Sequence, residues 1–477
     1  MNYKDKRVLV VGGGLSGIAA AKKLLLLGAE VFLTDRQEKD KLPGIKELEE
    51  LGLDPGHLLL AQEPPIAEIR PDLLVLSPGV PPHQPFIQQA AAQGIPIWSE
   101  VELALRGSLA QIVGITGSNG KTTTASLCGE LAKASGRDTV VAGNIGLALC
   151  GQVEHLDEQG IIVAELSSFQ LELIDKVRIN IAVILNLTPD HLDRHGTMEN
   201  YIAAKARILE NQTPEDLAIL NWDDLKVREL APLTKARVVF FSSGQPLDDG
   251  IFVEGEDIII GRDYKFGGGG QGFGLAEAQA GTKGWKIVSS GELLLRGRHN
   301  LENVMAAVAV ALELGLKKGQ IVRVLRSFQP VKHRQEIVGK YNGILFINDS
   351  KGTNPESSIR ALQAYEEPIV LIAGGRNKGL DMTAFLLEAK KRVKSLVLVG
   401  EAASELEILS KKIGIKRVLR SSSFEDCVAK AIAEAEPGDV VLLSPACTSW
   451  DMFKSYEERG ELFKELVRKH YSEPKSF

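Results

Sequence analysis

Residues 112–126, IVGITGSNGKTTTAS, restrict the possible folds of this chain more than any other stretch. An apolar run (Ile112, Val113, Ile115) predicts a buried strand, and the spacing from Thr124 onward predicts a helix. Between them lie glycines at 114, 117 and 120, then Lys121 and Thr122. Such a turn presents backbone N–H groups as an anion nest, and the helix start adds its positive dipole end. Lys121 would reach the β- and γ-phosphates, and the Thr122 hydroxyl would bind Mg²⁺. The strict spacing of such loops has four residues between its first Gly and Gly-Lys, whereas five separate Gly114 from Gly120. A plain strand–turn–helix connection accounts for the glycines but not for a Lys-Thr pair at the helix start. The stretch is read as a nucleoside triphosphate site.

Length bounds the rest: 477 residues suggest roughly three domains of about 150 residues each. With 44% hydrophobic and 25% charged residues, the chain has material for several cores. A formal charge of -6 offers no basic footprint, so nucleic acid is not expected as a partner. The four cysteines (128, 150, 427, 447) show neither metal-ligand nor disulfide-framework spacing, which fits a reducing compartment. The first residues make a poor signal peptide, and no run of 18 apolar residues predicts a membrane span. A cytoplasmic protein with no membrane partner is expected.

Taken in order, residues 7–11 predict a strand, glycines 12, 14 and 17 complete G-x-G-x-x-G, and a helix follows over 18–27. A strand over 30–34 then delivers Asp35, an acid placed to hold a ribose, so this region alone points to a nicotinamide or flavin enzyme. A bare strand–turn–helix remains the alternative. Strands over 72–76, ending in the Ser77-Pro78-Gly79 loop, and over 95–98 close a small first domain. In the middle segment a strand over 161–164 delivers Glu165, the usual kind of second Mg²⁺ anchor. A strand over 181–187 releases Asp190, His191, Asp193 and His195 into one short loop, where metal and phosphates are expected. In the helix over 201–209, Lys205 reads on its own as a surface lysine whose stem lies along the helix. Strand-like runs follow at 218–220, 238–241, 258–260 and 293–295, and the glycine-rich piece at 267–274 reads as a flexible hairpin or loop. Asn300 and Asn303 lie one turn apart at the start of a helix over 304–316, and helix capping alone would explain both. After Pro330, strands at 344–347, 369–373, 396–399 and 440–443 alternate with helices, which predicts a mostly parallel sheet. Its polar loops at 348–354, 374–378 and 444–451 fall at one edge.

The segments GITGSNGKTTT, AELSSFQLE, LNLTPDHLDRHG, YIAAKARIL, GRHNLEN, HRQE, NDSKGTN, GGRNK and SPACTSWDMFKSYEERG together resemble the Mur ligase family, in family order and over nearly the whole chain. The five-residue spacing is that family's form of the loop. The resemblance implies an α/β chain of three domains. A Rossmann-like domain (1–106) would bind a UDP-linked substrate. A P-loop-type ATPase domain with a mostly parallel sheet (107–330) would bind ATP, and a second Rossmann-like domain (331–477) the amino acid. It implies an ATP-dependent ligase of peptidoglycan precursor synthesis that adds D-glutamate to UDP-N-acetylmuramoyl-L-alanine, acting as a monomer in cell-wall biogenesis, cell shape and division.

By the same resemblance, the UDP would be bound by Leu15, Ser16, Thr34, Asp35, Arg36, Ser77 and Gly79. This replaces the nicotinamide reading. Asn144, Gln170 and His191 would contact the sugar and peptide. ATP would lie on Gly117, Ser118, Asn119, Gly120, Lys121, Thr122 and Thr123, joined by Asn300, Asn303, Arg334, Asp349 and Lys351. Thr353 would face phosphates and amino acid, and Lys378, Ser449 and Tyr456 would hold D-glutamate. Two Mg²⁺ ions are implied, one on Thr122 and Glu165, the other on His191 and a carbamate formed on Lys205. A neutral helix environment agrees with an amine able to take up CO₂. Catalysis would fall to Lys121, Glu165, His191, Lys205 and Arg334. The rivals are an NAD(P)-linked oxidoreductase, a non-catalytic ATP switch and another amino-acid ligase of the same family.

Overall fold

The computed structural model describes residues 2–42, 44–144, 146–265 and 284–472. Three sheets organise it. The first contains β1 (Arg7–Val11), β2 (Glu30–Asp35), β3 (Leu58–Leu60), β4 (Leu73–Leu76) and β5 (Ile97–Ser99), all parallel, in the order 3-2-1-4-5. The glycine turn after β1 thus leaves the sheet at the strand where the order reverses, the position at which open α/β sheets hold ligands.

The second sheet contains β6 (Gln111–Thr116), β7 (Thr139–Gly143), β8 (Ile161–Glu165), β9 (Ile181–Ile184), β10 (Leu217–Asn221), β11 (Arg237–Ser242), β12 (Ile251–Glu254), β13 (Asp257–Gly261) and β14 (Gly284–Ser289). Its order is 14-13-12-11-10-9-6-8-7, parallel from β7 through β12 and antiparallel between β12 and β13. β6 lies between β9 and β8, so the order reverses at the strand that feeds residues 117–120. Buried strands such as Ile161–Glu165 and Leu217–Asn221 read as continuous apolar runs because helices cover both faces of a parallel sheet.

The third sheet contains β15 (Glu336–Tyr341), β16 (Ile344–Asn348), β17 (Ile369–Gly374), β18 (Val393–Val399), β19 (Val418–Arg420) and β20 (Val440–Ala446), ordered 15-16-20-17-18-19. Only β15 is antiparallel to its neighbour. The loops after β16, β17 and β20 therefore share the C-terminal edge, as expected.

The chain forms two compact units. One spans Met1–Val288 with Glu302–Leu325 and holds the first two sheets; the other spans Ser289–Leu301 with Arg326–Phe477 and holds the third. The division falls inside the helix Arg298–Glu313. Two expectations need correction. Residues 293–295 are not a strand: Ser290–Glu292 form a 3₁₀ turn closed by a Ser289/Glu292 capping box, and the chain runs irregularly to Arg298. β9 stops at Ile184 rather than 187, for a reason given below. The glycine-rich piece at 267–274 lies outside the described residues. All four cysteines are free, buried thiols, and among the described residues no helix is long and apolar enough to cross a membrane.

Candidate active site

The turn after β6 is held from beneath. The Asn186 carboxamide accepts from the Asn119 N–H (2.8 Å) and donates to its carbonyl (3.0 Å), and the Ser118 N–H donates to the Asn186 carbonyl (2.9 Å). The Ser118 hydroxyl lies 2.9 Å from the Tyr201 hydroxyl and bonds both backbone groups of Thr188. β9 ends early because residues 185–188 serve as this cradle. Sequence reasoning did not single out Asn186; its signal was a polar residue at the end of an apolar run. Gly120 has φ +88°, and a Cβ there would stand 2.4 Å from Asn303 Oδ1, so only glycine lets the Asn303 carboxamide approach the turn. The helix Lys121–Ala134 then starts at Lys121, three residues before its predicted start. Lys121 Nζ folds back onto the carbonyls of Gly117 (2.8 Å) and Ser118 (3.0 Å). Thr122 and Thr123 are buried in the first turn.

Register places Glu165 beside this turn, since Ile115 pairs with Glu165 across β6 and β8. The Glu165 side chain is 2% exposed. Its Oε1 accepts from Asn144 Nδ2 at 3.0 Å, while the buried Oε2 has no hydrogen-bond partner among the described residues. An unbonded, buried carboxylate oxygen is costly unless a cation completes it. A hard divalent ion with oxygen ligands would complete it.

Lys205 is not a surface lysine. It is 2% exposed, its Nζ donates to the Gly117 carbonyl (3.0 Å) and Thr116 Oγ1 (3.4 Å), and the amine lies 4.8 Å from the Tyr201 ring centroid. Burial first, then the Lys121 charge, holds its pKa well below the ordinary lysine value. The snorkelling expectation fails because Met198–Ala206 packs this face of the helix under the phosphate turn.

The acid–histidine loop does not act as one cluster. His195 is buried, 2.9 Å from Ser168 Oγ and stacked on Phe169, and burial lowers its pKa. His191 has left-handed backbone (φ +52°), an exposed ring against the edge of Phe169, and Asp190 Oδ2 3.6 Å from its Nε2. A non-glycine residue held in that conformation is strained, a feature that gathers at functional sites. Among the described residues no group of three or more His, Cys, Asp or Glu side chains converges as a metal cluster. Gln170 closes a capping box, its Oε1 accepting from the Ser167 N–H and hydroxyl.

At the first sheet, a cavity of about 980 Å³ is lined by Leu15, Ser16, Thr34, Asp35, Arg36, Ser77 and Gly79. Asp35 also fastens the turn itself, accepting from the Gly13 N–H at 2.7 Å and the Gln37 N–H at 2.8 Å.

In the second unit Asp349 is buried, accepting from Ser444 Oγ (2.7 Å) and the Gln335 N–H (3.2 Å). Desolvation pushes its pKa up to about 6 against the pull of Arg334. Arg334 donates to Ser357 Oγ (2.7 Å), Asn300 Nδ2 to the Arg296 carbonyl (2.7 Å), and the Thr353 N–H to the Lys351 carbonyl (2.9 Å). Lys351 Nζ lies 5.5 Å from the Tyr456 ring centroid and Lys378 Nζ 5.0 Å from that of Trp450, next to buried Ser449.

Sheet order and turn geometry define an α/β protein with a nucleotide-phosphate type of turn at the reversal point of its central sheet. Family models match in three consecutive pieces: "Mur ligase MurD-like, N-terminal domain" over residues 6–99, "Mur ligase middle domain" over 115–311, and "Mur ligase, glutamate ligase domain" over 333–447. A UDP-N-acetylmuramoylalanine–D-glutamate ligase of Desulfitobacterium hafniense is 60% identical over 474 residues, covering 99% of this chain and 100% of the relative. The like-named proteins of Pelotomaculum thermopropionicum and Clostridioides difficile are 44% and 43% identical, each covering 98% of this chain and 98% and 99% of their own lengths. The chain belongs to the Mur ligase family. Its fold is shared with the crystal structure of UDP-N-acetylmuramate-alanine ligase MurC from Thermotoga maritima (TM-score 0.59, 18% identity, 98% of this chain and 100% of that one).

Proposed function

We propose that this chain joins D-glutamate to UDP-N-acetylmuramoyl-L-alanine at the expense of ATP, in peptidoglycan precursor synthesis. The observation that carries the chemistry is the buried Oε2 of Glu165, without a hydrogen-bond partner among the described residues, on the strand beside the Lys121 turn. The full-length similarity to D-glutamate ligases supports the choice of substrates.

A carboxylate is a poor electrophile until one of its oxygens becomes a leaving group. Phosphoryl transfer from ATP to the alanyl carboxylate provides this, and the D-glutamate amine then displaces phosphate. All the partners are anions, so charge must be neutralised as they are positioned. Residues 117–123 would hold the triphosphate, with Lys121 supplying fixed positive charge; Asn303 would add its carboxamide. Thr122 and Glu165 would hold Mg²⁺, which supplies charge neutralisation across the phosphates. A neutral Lys205 amine would take up CO₂ and release one proton, turning a would-be cation into an anion. With His191 that carbamate would hold a second Mg²⁺. The cavity at the first sheet would take the uridine nucleotide, and Asn144, Gln170 and His191 the sugar-peptide. Gln170 could contribute only its Nε2, because Oε1 is engaged in the cap. In the second unit, Asn300, Arg334, Asp349 and Lys351 would serve ATP, and Thr353, Lys378, Ser449 and Tyr456 the amino acid.

The test is an acceptor panel: with ATP and UDP-N-acetylmuramoyl-L-alanine, D-glutamate is joined whereas L-alanine and a diamino acid are not. Joining of the diamino acid in preference would assign the chain to another branch of the family.

A further inference from the structure

Lys378 and Trp450 project from two loops at the C-terminal edge of the third sheet, and their backbones are tied together. Arg376 and Thr448 form an isolated bridge, with the Arg376 N–H donating to the Thr448 carbonyl (2.9 Å) and the Thr448 N–H returning to the Arg376 carbonyl (3.1 Å). The Arg376 guanidinium is neutralised by a two-pronged pair with Glu401 (2.9 and 2.8 Å), whose N–H donates to Asp451 Oδ2 (2.9 Å). Asn377 closes the loop beyond Lys378 by bonding both backbone groups of Leu380. Two fixed loops thus present one ammonium and one indole that is 60% exposed.

The two neighbouring cations differ in chemistry. Arg376 is paired with a carboxylate; the described partner of the Lys378 ammonium is the Trp450 ring face, 5.0 Å from Nζ. A ring face restrains a long, flexible lysine without consuming its N–H donors or cancelling its charge. The Trp450 indole has no hydrogen-bond partner among the described residues, and burying an indole against solvent is not its role at such exposure. The same device recurs on this edge in Lys351 over Tyr456.

We propose that Trp450 is a positioning residue, whose ring holds the Lys378 ammonium ready for the carboxylate of the incoming amino acid. This rests on the reading of D-glutamate as the acceptor. The cation–π attraction of an exposed pair then sets the size of the effect. The experiment is steady-state kinetics of full-length wild type, Trp450→Ala, Trp450→Leu and Trp450→Phe. Alanine and leucine raise KM for D-glutamate about two- to fivefold, with kcat and the KM values for ATP and the nucleotide substrate unchanged; phenylalanine, which keeps a ring face, restores KM. An unchanged KM in Trp450→Ala, equal impairment by phenylalanine and leucine, or a parallel rise in KM for ATP overturns the inference. A wild type that turns over no D-glutamate overturns both this and the proposed function, whereas D-glutamate turnover with an unaffected Trp450→Ala overturns this inference alone.

Discussion

Lys205 shows how far burial can change what a side chain is. Burial lowers its pKa in the fold well below the ordinary lysine value, so the unfolded chain binds more protons between the two values. Stability therefore rises with pH across that window. In CO₂-free buffer Lys205→Met should be more stable than wild type at pH 7, with the gap closing as pH approaches about 10.4; denaturant midpoints that run parallel would contradict this. Asp349 works in the opposite sense. Its folded pKa of about 6 lies above the reference 3.8, so its contribution is intact below the reference value and is lost as pH rises through 6, on the order of 3 kcal/mol. Asp349→Asn should accordingly gain on wild type between acid and neutral pH in urea melts. For Lys121→Ala, phosphoryl transfer should vanish while UDP-substrate binding, measured calorimetrically, stays within a fewfold; joint loss would argue against the separation of roles. At this scale the placement of Lys121 and Glu165 was legible, because one opens a helix after a glycine turn and the other ends a buried apolar strand. Lys205 and Asn186 were not, since tertiary packing alone decides that one is buried and that the other clamps the turn.

Among the elements, the helix Glu100–Leu105 links the first sheet to the second and owes its position to buried carboxylates. Glu102 accepts from the successive N–H groups of Asp175 (2.8 Å), Lys176 (3.1 Å) and Val177 (3.2 Å) and pairs with Arg106 (2.9 Å). Glu100 accepts from the Cys150 N–H (2.7 Å), and burial raises its pKa. Removing the Glu102 acceptor strands three donors, while Arg106 keeps its pair with Asp175 (3.0 Å), so Glu102→Ala should cost about 3–5 kcal/mol, read as a lower midpoint in urea; a change within experimental error would refute the clasp. Strand positions such as β1 and β10 were readable because parallel, doubly covered strands are unbroken apolar runs. Leucines 293–295 mimic such a run, yet the Ser289/Glu292 cap turns the chain just before them. Short strands such as Ile251–Glu254 carry too little pattern to be seen.

At the scale of the molecule, alternating strands and helices announced the parallel-rich third sheet and the family resemblance the other two, and the strand order puts glycine turns at the reversal strands of the first two. Sequence patterning could not show that two of those sheets pack into one compact unit, because buried polar clasps such as Glu102 carry no periodic signal. The central claim is that the β6 turn serves to make a carboxylate reactive by phosphorylation. It is tested most directly by ligation with UDP-N-acetylmuramoyl-L-alanine carrying ¹⁸O in its alanyl carboxylate, followed by mass analysis of the released phosphate. One labelled oxygen should appear in each phosphate, formed only when ATP and D-glutamate are both present. Unlabelled phosphate accompanying amide formation would contradict the acyl phosphate and, with it, the role assigned to the turn.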